Sequence, residues 1–203
     1  MCPACVLVVH PPVSVARDFI DYPYLANLGA VQLVAALETG LKDTGNDPAP
    51  AVAYVDAFAL PTSTLDFRGR DDGRGHLGAS VEHVLAAIDR VTPAESVDFI
   101  ALAFTPFHRP PHRDDILSAL LQGLAARFGP DVPVVLTDAY QSGQHYIEAG
   151  SELLDAYPEA DAYLKYEAEV SLPELVHAWR VDNVRPTGVL RGQQPPNLDE
   201  LPF

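Results

Sequence analysis

The 203 residues carry 13 Lys and Arg against 28 Asp and Glu, a formal net charge of −15, and 48% of them are hydrophobic. That length and apolar share suit one α/β domain with a sizeable core, while the acidic balance argues against nucleic-acid or anionic-membrane partners, which need a positive field. The two cysteines, Cys2 and Cys5, leave no disulfide framework and fit a reducing cytoplasm; no apolar run reaches membrane-span length and the N-terminus lacks signal-peptide features.

Cys5 to Val9 (CVLVV) is apolar on both faces of a strand and reads as a central parallel strand, ended by His10-Pro11-Pro12. A loop through Tyr24 follows. Leu25 to Leu41 then reads as a helix, with Leu28, Val31, Leu33, Val34 and Leu37 at three- and four-residue steps. Gly40 and the Gly45-Asn46-Asp47-Pro48 cluster stop it. Ala51 to Asp56 is the second strand. The connection 57–78 is long, which marks it as functional or mobile. Ala79 to Val91 is the second helix, with Val81, Val84, Leu85 and Ile88 inward. Val97 to Phe104 is the third strand, closed by Thr105-Pro106-Phe107-His108 and a proline-rich turn to His112.

Asp114 to Phe128 is the third helix, with Ile116, Leu117, Leu120, Leu121 and Leu124 inward and Asp114 and Asp115 in its first turn, where the helix dipole favours them. Val134 to Leu136 is the fourth strand. A helix at Gln144 to Ala156 and a fifth strand at Ala162 to Leu164 follow. Ser171 to Val181 reads as the last helix, with Ser171 and Glu174 spaced as a capping box. Val189-Leu190 suits a short edge strand, and 193–203 a proline-rich linker.

This alternation predicts a flavodoxin-like (Rossmann-type), doubly wound, five-stranded parallel sheet in a three-layer sandwich, strand order 2-1-3-4-5, over 1–192. In such a sheet ligands lie outside the carboxyl ends of the strands. The residues delivered there are Pro11, Pro12, Thr105, Pro106, Phe107, Thr137, Asp138, Ala139, Tyr166 and Glu167.

Several chemistries compete for these positions. Cys2-Pro3-Ala4-Cys5 has redox spacing, but it precedes a strand where the chemistry needs a helix N-terminus, and zinc would need two further ligands; an exposed terminus is the plainer reading. His108, His112 and His145, with Asp114, Asp138 and Glu167, offer a metal cluster, although Pro110 and Pro111 break helical geometry between the first two histidines. Polar residues lining a pocket are the alternative. A metal-dependent hydrolase built on Asp138, His145 and Glu167 is a further reading. The chain has no GxxxxGK[ST], no GxGxxG after a strand and no GxSxG.

Four segments in order carry a family resemblance. The first runs from Pro11-Pro12 through a loop to Tyr22-Pro23-Tyr24-Leu25-Ala26-Asn27-Leu28-Gly29-Ala30. The second is the strand ending at Thr105. The third is Val134-Val135-Leu136 with Ala156-Tyr157-Pro158-Glu159-Ala160-Asp161 beyond it. The fourth is Tyr166-Glu167-Ala168-Glu169. Together they resemble the N-terminal cobalamin-binding domain of B12-dependent radical SAM proteins, and Asn197 to Phe203 is similar to the linker into the radical SAM barrel. The chain departs from that pattern in three places. It has no D-x-H-x-x-G, it carries Thr137-Asp138 where the family has Gly-Gly, and it carries Tyr166 and Ala168 at the glycines of G-E-G-E.

The resemblance implies cobalamin over the carboxyl edge of the sheet, with its nucleotide tail between sheet and helices. It also implies a C-terminal radical SAM domain as partner. That domain would bind SAM, a [4Fe–4S] cluster and a small-molecule or peptide substrate, and would use the cobalt in methyl transfer or related radical chemistry. This chain lacks C-x-x-x-C-x-x-C, so the catalytic barrel is expected outside it. Because Thr137, Asp138 and Tyr166 fill space that glycine leaves open, a degenerate interaction or substrate-docking domain without cofactor is the competing expectation. Three fates are open to Asp138: to cap its own loop at Gln141 and Ser142, to pair with Arg109 or Arg113, or to face an open slot and stay hydrated; the expectation is that it caps its loop and narrows the slot.

Overall fold

In the computed structural model of the protein, the described residues are 4–16, 28–43, 49–67, 73–108, 112–139, 150–166, 168–193 and 197. Among these residues nine strands and five α-helices follow one another as β1 (Cys5–His10), β2 (Val13–Ala16), α1 (Leu28–Asp43), β3 (Ala51–Asp56), β4 (Thr64–Asp66), β5 (Arg74–Gly78), α2 (Val81–Val91), β6 (Val97–Phe104), α3 (Asp115–Phe128), β7 (Val134–Asp138), α4 (Glu152–Ala156), β8 (Ala162–Lys165), α5 (Ser171–Asp182) and β9 (Gly188–Arg191). Among these residues no helix is long and apolar enough to cross a membrane.

Strands whose alternate residues are all apolar must be covered on both faces, and the main sheet is covered so. Its order is β3-β1-β6-β7-β8-β9, and every neighbouring pair runs parallel. Leu7, Val9, Ile100, Leu102, Phe104 and Leu136 face one side and pack with residues of α2, α3 and α4. Val6, Val8, Phe99, Ala101 and Val135 face the other and pack with α1 and α5. The result is an α/β fold of Rossmann-like layout. The sheet has six strands where five were expected. The Val189-Leu190 segment is the sixth, pairing from Ala162↔Gly188 to Lys165↔Arg191.

A second sheet was not expected. β2, β5 and β4 form a three-stranded antiparallel sheet in the order β2-β5-β4. It occupies what the sequence presents as the loop after the first strand and the long 57–78 connection. Its short strands bury Val13, Val15 and Leu77 in the α2/α3-side core, so the small sheet lies against the end of β1. Gly78 permits this approach: its φ is +111°, and a Cβ there would stand 3.0 Å from Pro12 Cβ.

Three local expectations are corrected. Leu28 and Val31 are exposed, and the inward stripe of α1 is Ala30, Leu33, Leu37 and Leu41. Ser171 is the first residue of α5 rather than its cap, because Leu172 N–H already donates to Ala168 O; its hydroxyl instead accepts from Gln193 N–H at 2.8 Å, tying the end of β9 to α5. Cys5 is 4% exposed at the start of β1, not part of an exposed terminus, and burial raises its thiol pKa. Asp114 precedes α3 as N-cap, and its carboxylate accepts from Ile116 and Leu117 N–H at 3.0 Å each.

Candidate functional site

The strand order reverses direction between β1 and β6, and the carboxyl ends of these two strands flank the crevice where such sheets hold ligands. Pro11 and Pro12 follow β1 and are buried beneath the small sheet. Thr105 follows β6 and is fully buried, while Pro106 and Phe107 are half-buried in the 3₁₀ turn Pro106–His108. Thr137 and Asp138 are the last two residues of β7, not its following loop, and pair with Ala103 and Phe104. Thr137 is fully buried, and its hydroxyl donates to Leu102 O at 3.0 Å. Ala139 is buried and donates its N–H to Phe104 O.

Tyr166 stands just beyond β8, half-buried, with φ +68°. A bulky residue in the left-handed region is uncommon and strained. Its ring lies under two cations, Lys165 Nζ at 4.9 Å and the Arg191 guanidinium at 5.9 Å. Lys165 and Arg191 are register partners at the ends of β8 and β9, so the carboxyl edge of a strongly acidic protein carries a local pair of positive charges here. Glu167 and His145 lie outside the described residues, as do Arg109, Gln141 and Ser142. Arg113 does not reach Asp138: its guanidinium donates to Glu159 and to Ala156 O, both at 2.6 Å.

The structure adds residues that the sequence reading passed over. His10 ends β1 and Asp56 ends β3 in register with it. His10 Nδ1 lies 2.9 Å from Asp56 Oδ1, and both side chains are buried. Asp56 also accepts from Phe58 N–H at 2.8 Å and from the Tyr54 hydroxyl at 3.2 Å. Burial works to raise the Asp56 pKa, but the His10 hydrogen bond and charge, with the Phe58 and Tyr54 donors, more than offset it and hold the carboxyl below its usual range. The same burial, with the Asp56 charge beside it, pushes the Tyr54 phenol up. The Phe58 ring stacks on His10 at 4.7 Å.

Across the crevice, His108 is fully buried and stacks on Phe104 at 5.2 Å. Its Nδ1 accepts from Thr105 N–H at 3.0 Å. Burial first, and the nearby His10 second, lower its pKa to about 3. The turn that carries His108 is held from behind by Tyr157, whose hydroxyl donates to His108 O at 3.1 Å and accepts from Asp114 N–H at 2.7 Å. His112 is exposed, so His108 and His112 do not present one ligand face. Among the described residues no three His, Cys, Asp or Glu gather where they could hold a metal ion.

Two further hollows lie outside the β1/β6 crevice. One, of about 240 Å³, is lined by Leu124, Phe128, Asp161 and Arg185. Arg185 is fully engaged there, with Asp161 at 2.7 Å and the carbonyls of Pro130 and Asp131, so it braces the fold. The other, of about 290 Å³, lies between α5 and β9 beside Ser171, Glu174 and Leu190.

No protein-family model matches the chain, and no curated protein does. Among solved structures, it is similar to a fructokinase with bound ATP from Xylella fastidiosa, at 13% identity and a TM-score of 0.38, over 86% of this chain and 61% of that one. The chain thus spans less than two thirds of that structure, and a likeness at this level carries no functional argument.

Proposed function

We propose that this chain is a flavodoxin-like cobalamin-binding domain, the accessory half of a cytoplasmic B12-dependent radical SAM enzyme. The observation that carries the reading is the backbone at Tyr166. Its φ of +68° is a glycine-type conformation, kept by an aromatic residue at the position where the resemblance has the first glycine of G-E-G-E. The strand order supports it too, since in chain order the parallel strands run 2-1-3-4-5 with a sixth added at the edge.

The residues at the carboxyl edge fit such a cofactor in two tiers. Pro106, Phe107, Asp138 and Tyr166 are partly exposed and would touch it. Pro11, Pro12, Thr105, Thr137 and Ala139 are buried and would form the wall behind. Thr137 allows this because its hydroxyl is already satisfied by Leu102 O within the sheet, so it brings no unpaired polar group to the tail slot. Glu167 belongs to the same proposed set. When bound, cobalamin supplies a cobalt centre that carries a methyl group or supports radical chemistry. SAM, the [4Fe–4S] cluster and the small-molecule or peptide substrate belong to the C-terminal radical SAM domain proposed as partner. Titration of hydroxocobalamin into the purified chain should shift its visible spectrum with saturation. No binding at high micromolar concentration overturns the reading.

One observation favours a second reading, a docking domain that binds no cofactor. Ala168, at the other glycine position of the motif, is 1% exposed and packs into the α1/α5-side core, which leaves less room there than glycine would. Introducing glycine at both Thr137 and Ala168 separates the two: binding gained only in that variant assigns the natural chain to docking.

A further inference from the structure

We propose that the outer edge of β9 takes a strand from a partner protein, an extended segment in which apolar and acidic residues alternate. β9 is the last strand of the main sheet, and among the described residues no strand pairs with its outer side. The register fixes what that side offers. Gly188 N–H donates to Asp161 O and Gly192 N–H to Lys165 O, so Gly188, Leu190 and Gly192 direct their backbone groups at β8. Successive residues of a strand alternate in this respect, which turns the N–H and C=O of Val189 and Arg191 outward. Such an open ladder is a template for a further strand.

The chemistry of the segment follows from the two faces of β9. Val189 and Arg191 are in register with Tyr163 and Lys165. Tyr163 packs in the α2/α3-side core, so Val189 and Arg191 share that face. Arg191 is exposed. Arg113, Arg127, Arg180 and Arg185 each reach a carboxylate. Arg191 reaches none among the described residues and rests on the Tyr166 ring at 5.9 Å, with Lys165 over the same ring at 4.9 Å. An acidic side chain opposite Arg191 supplies the missing charge.

On the other face, Leu190 packs towards α5. Beside it lies the hollow of about 290 Å³ lined by Leu164, Leu175 and Ala178, and a Cβ added at Gly188 would meet nothing within 4 Å. An apolar side chain opposite Leu190 fits there. Adjacent residues of the incoming strand point to opposite faces, hence the alternation. A second copy of this chain fits less well. Two β9 strands paired antiparallel about a dyad would set Arg191 opposite Thr187, Val189 or Arg191 of the copy, never a carboxylate, and would join two chains each of net charge −15. The outer edge of β9 lies three strands from β6, so a cofactor in the crevice does not decide its occupancy.

The test is an amide NMR titration of the full chain with three capped octapeptides, valine alternating with glutamate, glutamine or lysine. The long-range field of an acidic protein favours the lysine peptide, whereas pairing at Arg191 favours the glutamate peptide. The glutamate peptide should bind saturably and most tightly, move the Val189 and Arg191 amides together and slow their hydrogen exchange. Arg191→Gln should weaken the glutamate peptide about two- to fivefold and leave the glutamine peptide unchanged. Val189→Pro removes an outward N–H and no bond to β8, and should abolish binding. Its amide spectrum checks the fold, and the arginine variant decides alone if the proline variant does not fold. Equal or tighter binding of the lysine peptide, an Arg191→Gln variant without effect, shifts that map to β3 at the other edge, or no saturation by millimolar glutamate peptide overturns the proposal. So do Val189 and Arg191 amides that already exchange slowly in the free chain: independently of concentration if the chain's own residues fill the edge, and with concentration if a second copy does.

Discussion

Replacing Tyr157 with phenylalanine removes one oxygen and should loosen the whole His108 turn. The Tyr157 ring is fully buried and meets Phe104 edge-on at 6.1 Å, so phenylalanine keeps the packing and loses only the hydroxyl. That hydroxyl accepts from Asp114 N–H at 2.7 Å and shares its proton between His108 O at 3.1 Å and His112 O at 3.3 Å. His112 is exposed, and its carbonyl can turn to water. Asp114 and His108, at 2% and 0% exposure, cannot. Two buried backbone groups lose this partner, each at a cost of roughly 1–3 kcal/mol, against which the removed hydroxyl no longer needs desolvating. A net loss of about 2–3 kcal/mol follows. At about 2–4 °C per kcal/mol for a domain of this size, the melting temperature should fall by roughly 4–12 °C. Urea unfolding followed by circular dichroism measures it, and the slope should stay unchanged, since the surface exposed on unfolding is the same. A loss under about 0.5 kcal/mol would mean that water already reaches the turn. It would refute the claim that Tyr157 is what holds His108 in place.

Two further outcomes follow from the same edge. His108 is held neutral by burial, with a folded pKa near 3 against about 6.5 unfolded. A depressed folded value contributes stability that is present above the unfolded pKa and lost as pH falls from there towards the folded one. Stability of the natural chain should therefore drop through that window more steeply than that of His108→Gln, and parallel curves would show that His108 is not the residue responsible. At Tyr166 the informative comparison is between Tyr166→Gly and Tyr166→Ala. Both lose the ring beneath Lys165 and Arg191, but only alanine keeps the cost of φ +68°, so the glycine variant should be more stable by about 1–2 kcal/mol; equal stabilities would indicate that the backbone relaxes.

The main sheet was legible because its strands are apolar on both faces and its helices carry stripes of inward residues. β6 and α3 announce themselves this way, with Phe99 to Phe104 and Leu117 to Leu124 lying where the periodicity puts them. The small sheet was not legible. β4 and β5 read Thr64-Leu65-Asp66 and Arg74-Gly75-His76-Leu77-Gly78, short, polar and glycine-bearing, and gain strand form only by pairing with each other and with β2. The end of β7 was missed by two residues because Thr137 and Asp138 look like a loop; the Thr137 hydroxyl finds its acceptor on the neighbouring strand. His10 and Asp56 were visible as the polar ends of two apolar runs, but nothing in the sequence states that the runs end in register. Counting inward from the strand ends would have paired them. The hydrogen bonds of His10 and His108 join residues 46 and 3 positions apart, the first beyond the reach of any local pattern.

The tie between Gln193 N–H and the Ser171 hydroxyl determines where the polypeptide departs. A sheet that stopped at β8 would release the chain from the last turn of α5, at the amino edge, on the far side of the molecule from the crevice. β9 turns the chain through Asn183, in left-handed conformation, and runs it back parallel to β8. The departure point thereby moves the full height of the sheet, to the edge where Tyr166, Asp138 and Phe107 stand. Any segment tethered beyond Gln193 therefore has its anchor at the carboxyl edge, three strands along from β6, and need not cross the height of the sheet to reach a ligand held there.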